Sequence, residues 1–205
     1  NTPLRQALTE AATQRAAAIT AQGEHYMPAG VMIDERSIVN AIVGLVATGG
    51  STNHALHLPA MAAAAGISIT LDDFADISAV VPLLTRIYPN GPADVNHFHA
   101  AGGMGYVIRE LLGAGLLDGT AATVAGDSLA DYAREPVLAD NGLVWRDAPA
   151  DSLDRDILRP ASDPHAPNGG LRMLDGALGK SVIKISAVAS ARQLIEAPAA
   201  IFDDE

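Results

Sequence analysis

The sequence predicts an α/β chain in which a helix-rich segment leads into a β-rich one. Three observations predict it. Apolar residues recur at helical spacing from the start to about residue 117, between cap residues and glycine stops. Beyond about residue 135 the apolar runs become short and β-branched, parted by turn residues. The only lysines, Lys180 and Lys184, fall in that second part, a shift in composition as well as in pattern. A domain boundary is placed between about 137 and 150, giving a helix-rich domain over 1–140 and a linker with the start of a β-rich domain over 141–205. No internal repeat is evident.

The elements follow in order. Thr2-Pro3 is a cap with proline at the first helical position, and Leu4, Leu8, Ala11, Ala12 and Ile19 carry a helix to about residue 22, where Gly23 stops it. Asp34-Glu35 starts a second helix with Ile38, Ile42, Leu45 and Val46 on one side. A third opens at Ser51 and runs to Ala65, with Gly66 as its stop and a bend at Pro59. Thr70-Leu71-Asp72-Asp73 resembles a capping box and begins a fourth helix to about Arg86, interrupted near Pro82. Tyr88-Pro89-Asn90-Gly91-Pro92 is a turn-rich loop, and a fifth helix spans Ala101 to Ala114. Thr120–Val124 reads as a strand, Ser128–Arg134 as a short helix and Leu143–Trp145 as a strand. Residues 147–170 form a loop rich in Asp and Pro. Leu171–Leu174 and Ser181–Ser186 are strands around an Asp175-Gly176 turn.

Composition narrows the function. The 205 residues carry a formal charge of −11, which argues against a nucleic-acid or anionic-membrane surface. Cysteine is absent, so disulfides and cysteine-held zinc or iron–sulfur sites cannot come from this chain alone. No apolar run reaches the roughly 18 residues of a membrane span, and Asn1-Thr2-Pro3 does not begin a signal peptide. The absence of an initial Met and the abrupt close at Ile201–Glu205 read as cuts in a longer polypeptide. A cytoplasmic location is expected.

The richest stretch is Thr48-Gly49-Gly50-Ser51-Thr52-Asn53-His54. A glycine pair closes one helix and a Ser-Thr-Asn cluster opens the next, so free amides at the new N-terminus form a small positive pole suited to phosphate or carboxylate. An ordinary well-capped helix join explains the same residues. Among the six histidines, His54 and His57 share a helix face and His97 and His99 share one only if extended. A zinc site needs more ligands than either pair supplies, so hydrogen-bonding or surface roles are the simpler reading, with His54 kept open. The pairs Asp34-Glu35 and Asp72-Asp73 fit capping better than acid–base chemistry; Asp203-Asp204 is the third such pair. Gly102-Gly103 repeats the glycine-pair-then-helix theme. No nucleophile elbow, Walker loop or dinucleotide fingerprint is present.

Gly49-Gly50-Ser51-Thr52-Asn53-His54 with Leu56-His57-Leu58 resembles the family of dihydroxy-acid and sugar-acid dehydratases. Leu71-Asp72-Asp73-Phe74, Pro82-Leu83-Leu84, Ala101-Gly102-Gly103, Arg109-Glu110-Leu111-Leu112 and Ala114-Gly115-Leu116-Leu117 continue the likeness in order. Tyr88 to Phe98, Leu143 to Asp147 and Glu196-Ala197-Pro198 are similar to the branch acting on 6-phosphogluconate rather than the branched-chain amino-acid branch. The resemblance implies a layered α/β first domain, a barrel-like second domain and a homodimeric parent. It further implies a hydro-lyase that dehydrates 6-phospho-D-gluconate to 2-dehydro-3-deoxy-6-phosphogluconate in the Entner–Doudoroff pathway. An iron–sulfur cluster, taken as 4Fe–4S, acts as Lewis acid, with Mg2+ nearby. The family's cluster cysteines lie upstream of this region and its catalytic serine motif downstream, so the chain by itself is expected to be inactive. Gly49, Gly50, Ser51, Thr52, Asn53 and His54 are carried over as substrate-binding, with Asn96 and His97 more weakly and His97 as a contact to substrate phosphate. No catalytic or metal-ligating residue is assigned. A different sugar acid or dihydroxy acid, or a non-catalytic phosphate-binding or interaction module, are the alternatives.

Overall fold

The computed structural model describes residues 2–194, 196–198 and 200–201, so Phe202 and the Asp203-Asp204 pair lie outside the described residues. Helices occupy the first part and two antiparallel hairpins the second, the mixed α/β class the sequence predicts. Helix α1 spans Pro3–Ala18, with Thr2 Oγ1 accepting from the Arg5 amide at 3.3 Å. It ends ahead of the predicted residue 22. There the returning chain takes its last carbonyls, the His25 amide donating to Ala18 and the Met27 amide to Ile19. The short α2 (Ala29–Met32) leads to α3 (Glu35–Thr48).

Helix α3 is the centre of the core. Its stripe of Ile38, Ile42, Val43, Leu45, Val46 and Ala47 is buried, each larger side chain contributing roughly 1.5–3 kcal/mol on burial. Asp34 caps it, its carboxylate accepting from the Ser37 amide at 2.9 Å while Ser37 Oγ accepts from the Asp34 amide at 3.0 Å. Helices α4 (His54–Ala64) and α5 (Leu71–Val80) pack against it. Helix α4 runs through Pro59. Helix α5 stops at Val80, because the residue before Pro82 is driven to extended backbone. The expected continuation to Arg86 is instead an extended run laced to residues 157–166. It has bridges Leu83–Ala166 and Thr85–Leu158, and amide donations from Arg86 to Ile157, Arg159 to Leu84 and His165 to Leu83.

The predicted fifth helix is α7 (Gly103–Gly113), and before it lies α6 (Val95–Ala101), a short helix that the sequence pattern did not reveal. An Asp94–His97 capping box starts α6, and a break at Gly102, whose φ of 136° only glycine adopts readily, separates the two. Thr120–Val124 is not a strand. The Thr120 amide and hydroxyl donate to Asp118, the Arg36 guanidinium donates to the Thr120 carbonyl at 3.0 Å, and Thr123 closes a turn with Gly126, so the stretch is built from local turns rather than a ladder. A 3₁₀ turn (Leu129–Ala133) enters β1 (Arg134–Ala139), which the sequence pattern did not reveal and which pairs with β2 (Gly142–Asp147). This hairpin carries Trp145, half exposed, and packs on α1. After the loop of 148–171 come β3 (Arg172–Gly176) and β4 (Gly179–Ile183), joined at Ala177-Leu178 rather than at Asp175-Gly176. The register pairs Gly176 with Gly179, and Gly179 has a positive φ. The β3–β4 hairpin lies against α5, where Lys180 reaches Asp72 at 2.6 Å.

Candidate functional site

The turn between α3 and α4 is held from below by backbone of distant sequence. Gly49 ends α3 in the left-handed region at φ 56°. A Cβ there would stand 2.5 Å from Asn90 Nδ2, and a Cβ on Gly170 would stand 2.6 Å from Gly49 Cα. Two glycines therefore permit one close backbone crossing. Asn90, buried, donates to the Gly49 carbonyl at 2.8 Å and accepts from Ser186 Oγ at 2.8 Å. The Gly170 amide donates to Val46, and the Ser186 amide to Gly170. Thr85 Oγ1 adds a bond to the Thr48 carbonyl at 2.8 Å.

Above this support the turn faces water. Ser51 Oγ accepts from the Asn53 amide at 3.2 Å, and the Ser51 carbonyl accepts from the His54 amide and sits 3.0 Å from His54 Nδ1. The Ala55 amide is taken by the Thr52 carbonyl. Ser51 thus tightens the turn rather than capping α4; Asn53 is the N-cap position and its side chain makes no capping bond. The amides of Ser51 and Thr52 have no protein acceptor among the described residues. Those two amides, rather than the whole helix terminus, are the donors this turn offers. Ser51, Asn53 and His54 are exposed beside them.

Asn96 and His97 are not brought to this turn by any hydrogen bond among the described residues. They belong to the start of α6, where their amides donate to Asp94 at 2.8 and 3.0 Å and His97 Nδ1 lies 2.9 Å from the same carboxylate. The His97 amide is the main cause holding Asp94 below the usual carboxylate range. No group of three or more His, Asp and Glu able to hold a metal ion occurs among the described residues.

A cavity of about 600 Å3 has two members of this support, Asn90 and Ser186, in its wall. The laced run 83–91 supplies Arg86, the returning segment supplies His165 and Asn168, β3 opens with Arg172, and the stretch after β4 supplies Gln193. No Asp or Glu lines it. His165 is partly buried and its Nε2 has no partner. Desolvation, reinforced by Arg159, pushes its pKa down to about 4, so the ring is neutral at pH 7. The sequence pattern assigned no site role to Asn90, Gly170, Ser186, Arg86, His165 or Arg172, and Asn90 entered it only within the turn-rich loop of 88–92. A further signal was the Asn168-Gly169-Gly170 run, a third glycine pair, whose Gly170 crosses the backbone of Gly49.

Comparison with known proteins gives the family. Residues 1–132 match the model for the dihydroxy-acid/6-phosphogluconate dehydratase N-terminal region, and residues 156–205 match the model for its C-terminal region. The chain belongs to the dihydroxy-acid/6-phosphogluconate dehydratase family. Within this dehydratase family it is 58% identical over 205 residues to a phosphogluconate dehydratase of Rhizobium meliloti and 54% identical to that of Pseudomonas aeruginosa. In both cases all of this chain is covered, and 34% of the relative. A dihydroxy-acid dehydratase of Nitratidesulfovibrio vulgaris is 39% identical over 85% of the chain and 30% of its own length. The chain therefore spans about a third of the dehydratases it matches. Between the two matched regions lies the β1–β2 hairpin.

Proposed function

We propose that this chain is the central part of a phosphogluconate dehydratase, a hydro-lyase converting 6-phospho-D-gluconate to 2-dehydro-3-deoxy-6-phosphogluconate in the Entner–Doudoroff pathway. The observation that carries the reading is the gradient of likeness. Phosphogluconate dehydratases match 98–100% of the chain at 47–58% identity, against 39% over 85% of the chain for a dihydroxy-acid dehydratase. In the reaction a base removes the proton beside the carboxylate, hydroxide leaves the neighbouring carbon, and the enol so formed becomes the ketone. Hydroxide leaves poorly without an electrophile, and the parent is proposed to use a 4Fe–4S cluster for this, with Mg2+. This chain has no cysteine, and no group of three or more His, Asp and Glu able to hold a metal ion occurs among its described residues. Its part in the reaction is to bind and shape. The Gly49–His54 turn presents the Ser51 and Thr52 amides to an anionic group of the substrate, held in place by Asn90, Gly170 and Ser186. The parent is proposed to be a cytoplasmic homodimer, its first domain ending near residue 140 of this numbering.

The test is to purify the full-length protein without oxygen, measure its mass and iron content, and assay 2-keto acid formation from 6-phosphogluconate, gluconate and a branched 2,3-dihydroxy acid. Iron-dependent turnover greatest with 6-phosphogluconate is expected. Preference for either other acid would move the substrate within the family. An iron-free protein of 21 kDa that binds sugar phosphate without turnover would replace the enzyme reading by a binding module.

A further inference from the structure

We propose that the cavity walled by Arg86, Arg172 and His165 is an oxyanion site that receives the phosphate monoester of a sugar-acid phosphate. The sugar-acid identity rests on the function proposed above; the oxyanion chemistry rests on the cavity alone.

Charge is the first argument. In a chain of net charge −11, this wall carries two guanidinium groups and no carboxylate. Arg36, Arg109, Arg134, Arg146, Arg155 and Arg159 each sit within ion-pair distance of an acidic side chain. Arg86 and Arg172 have no such partner among the described residues. Two unpaired arginines facing one space match the fork geometry that phosphate oxygens accept.

Construction is the second argument. Arg86 and His165 are set by the paired backbone of the 83–87 run and the 157–166 segment, and Arg172 by the start of β3. A group placed on laced backbone is held closer to its working geometry than one on a free loop. His165 is neutral and bonded to the Ile157 backbone through its other ring nitrogen, so its buried, unpartnered Nε2 is an acceptor that a sugar hydroxyl beside the phosphate would satisfy. About 600 Å3 admits more than a phosphate alone, and Asn90, Asn168 and Gln193 add amide groups suited to hydroxyls. His97 competes poorly for the same role: it is one exposed imidazole, 2.9 Å from the Asp94 carboxylate, which would repel a dianion.

The experiment uses the full-length protein with Arg86→Gln, Arg172→Gln and the double variant, and Arg5→Gln on α1, outside the cavity wall, as the charge control. Both cavity arginines are exposed, so their loss leaves the core intact. Calorimetry reads the binding of inorganic phosphate and of gluconate; steady-state kinetics reads KM and kcat for 6-phosphogluconate. Each single variant is expected to weaken phosphate binding and raise KM by about tenfold, the scale of one lost charge-assisted hydrogen bond, and to change KM far more than kcat. The double variant compounds the loss, and Arg5→Gln matches wild type. Phosphate affinity and KM unchanged in the double variant would overturn the site while leaving the dehydratase reading intact. Arginine-dependent phosphate binding in a protein that does not turn over 6-phosphogluconate would do the reverse. Gluconate binding as tightly as phosphate at these arginines would overturn the phosphate assignment in favour of a carboxylate.

Discussion

At the scale of single residues, the crossing of Gly49 and Gly170 leaves no room for a side chain. Gly170→Ala places a methyl within 2.7 Å of both Gly49 Cα and Ser186 Oγ. Backbone cannot retreat as a side-chain end can, so we expect a loss of about 2–3 kcal/mol in urea unfolding, the cost of overpacking a filled site. Gly66→Ala isolates the other cost: its φ of 77° is left-handed, which that of Gly170 is not, and nothing lies within 4 Å, so only the backbone term of about 1–2 kcal/mol applies. His165 gives a second prediction. Its folded pKa of about 4 lies below the ordinary 6.5, so between those values the unfolded chain binds more protons than the folded one. Stability therefore falls as pH drops from about 6.5 and the decline from this group ends below about 4. A histidine NMR titration should place one ring near 4, and His165→Gln should remove that part of the acid sensitivity. A midpoint near 6.5 would mean that the ring is hydrated.

At the scale of elements, caps decided where the sequence could be read. Asp34, Thr70 with Asp73, and the glycine at 49 marked the bounds of α3 and α5 because each sits next to a clear apolar stripe. Asp34→Ala should cost about 1–2 kcal/mol in thermal or urea unfolding. The Ser37 amide, helped by Arg36, holds the Asp34 carboxyl below its ordinary 3.8, so this contribution is present above that value and fades as pH falls through the lower folded one; the mutant's deficit should shrink in acid. Other elements were illegible for identifiable reasons. Helix α6 is only seven residues long, too short to show a periodic apolar stripe, and Gly102 separates it from α7. Strand β1 contains a proline and alternates weakly, and is recognisable only through its partner β2. Thr120–Val124 has strand-forming residues whose polar groups are consumed by Asp118, Arg36 and Gly126. The candidate site divides the same way. Its local half, Gly49 to His54, is a contiguous motif, whereas its support and the cationic cavity are assembled from segments distant in sequence, with separations of 41 in the Asn90–Gly49 bond and 96 in the Ser186–Asn90 bond.

At the scale of the whole molecule, the second part is the thinner one. Leu174, Leu178 and Ile183 of the β3–β4 hairpin are exposed, as are Leu56 and Met61 on α4. Each two-stranded sheet leaves its outer edges unpaired. Apolar surface and open edges together favour association, and a net charge of −11 opposes it only while salt is low. The 205-residue chain is expected to sediment as a larger species as concentration and ionic strength rise; a monomer boundary unchanged by both would show those surfaces to be inert.

The hairpin formed by β1 and β2 also fixes what an optical experiment on this chain will see. Trp145 is its sole indole, placed on that hairpin at 48% exposure and outside the central cluster around α3. Its emission will be red-shifted already in the native state and will follow the hairpin leaving α1, whereas ellipticity in the far ultraviolet will follow α3, α4 and α5. If the hairpin releases first, the two melting curves will part company, and the gap between their midpoints will measure how tightly the region between the two matched parts of the chain is tied to the helices.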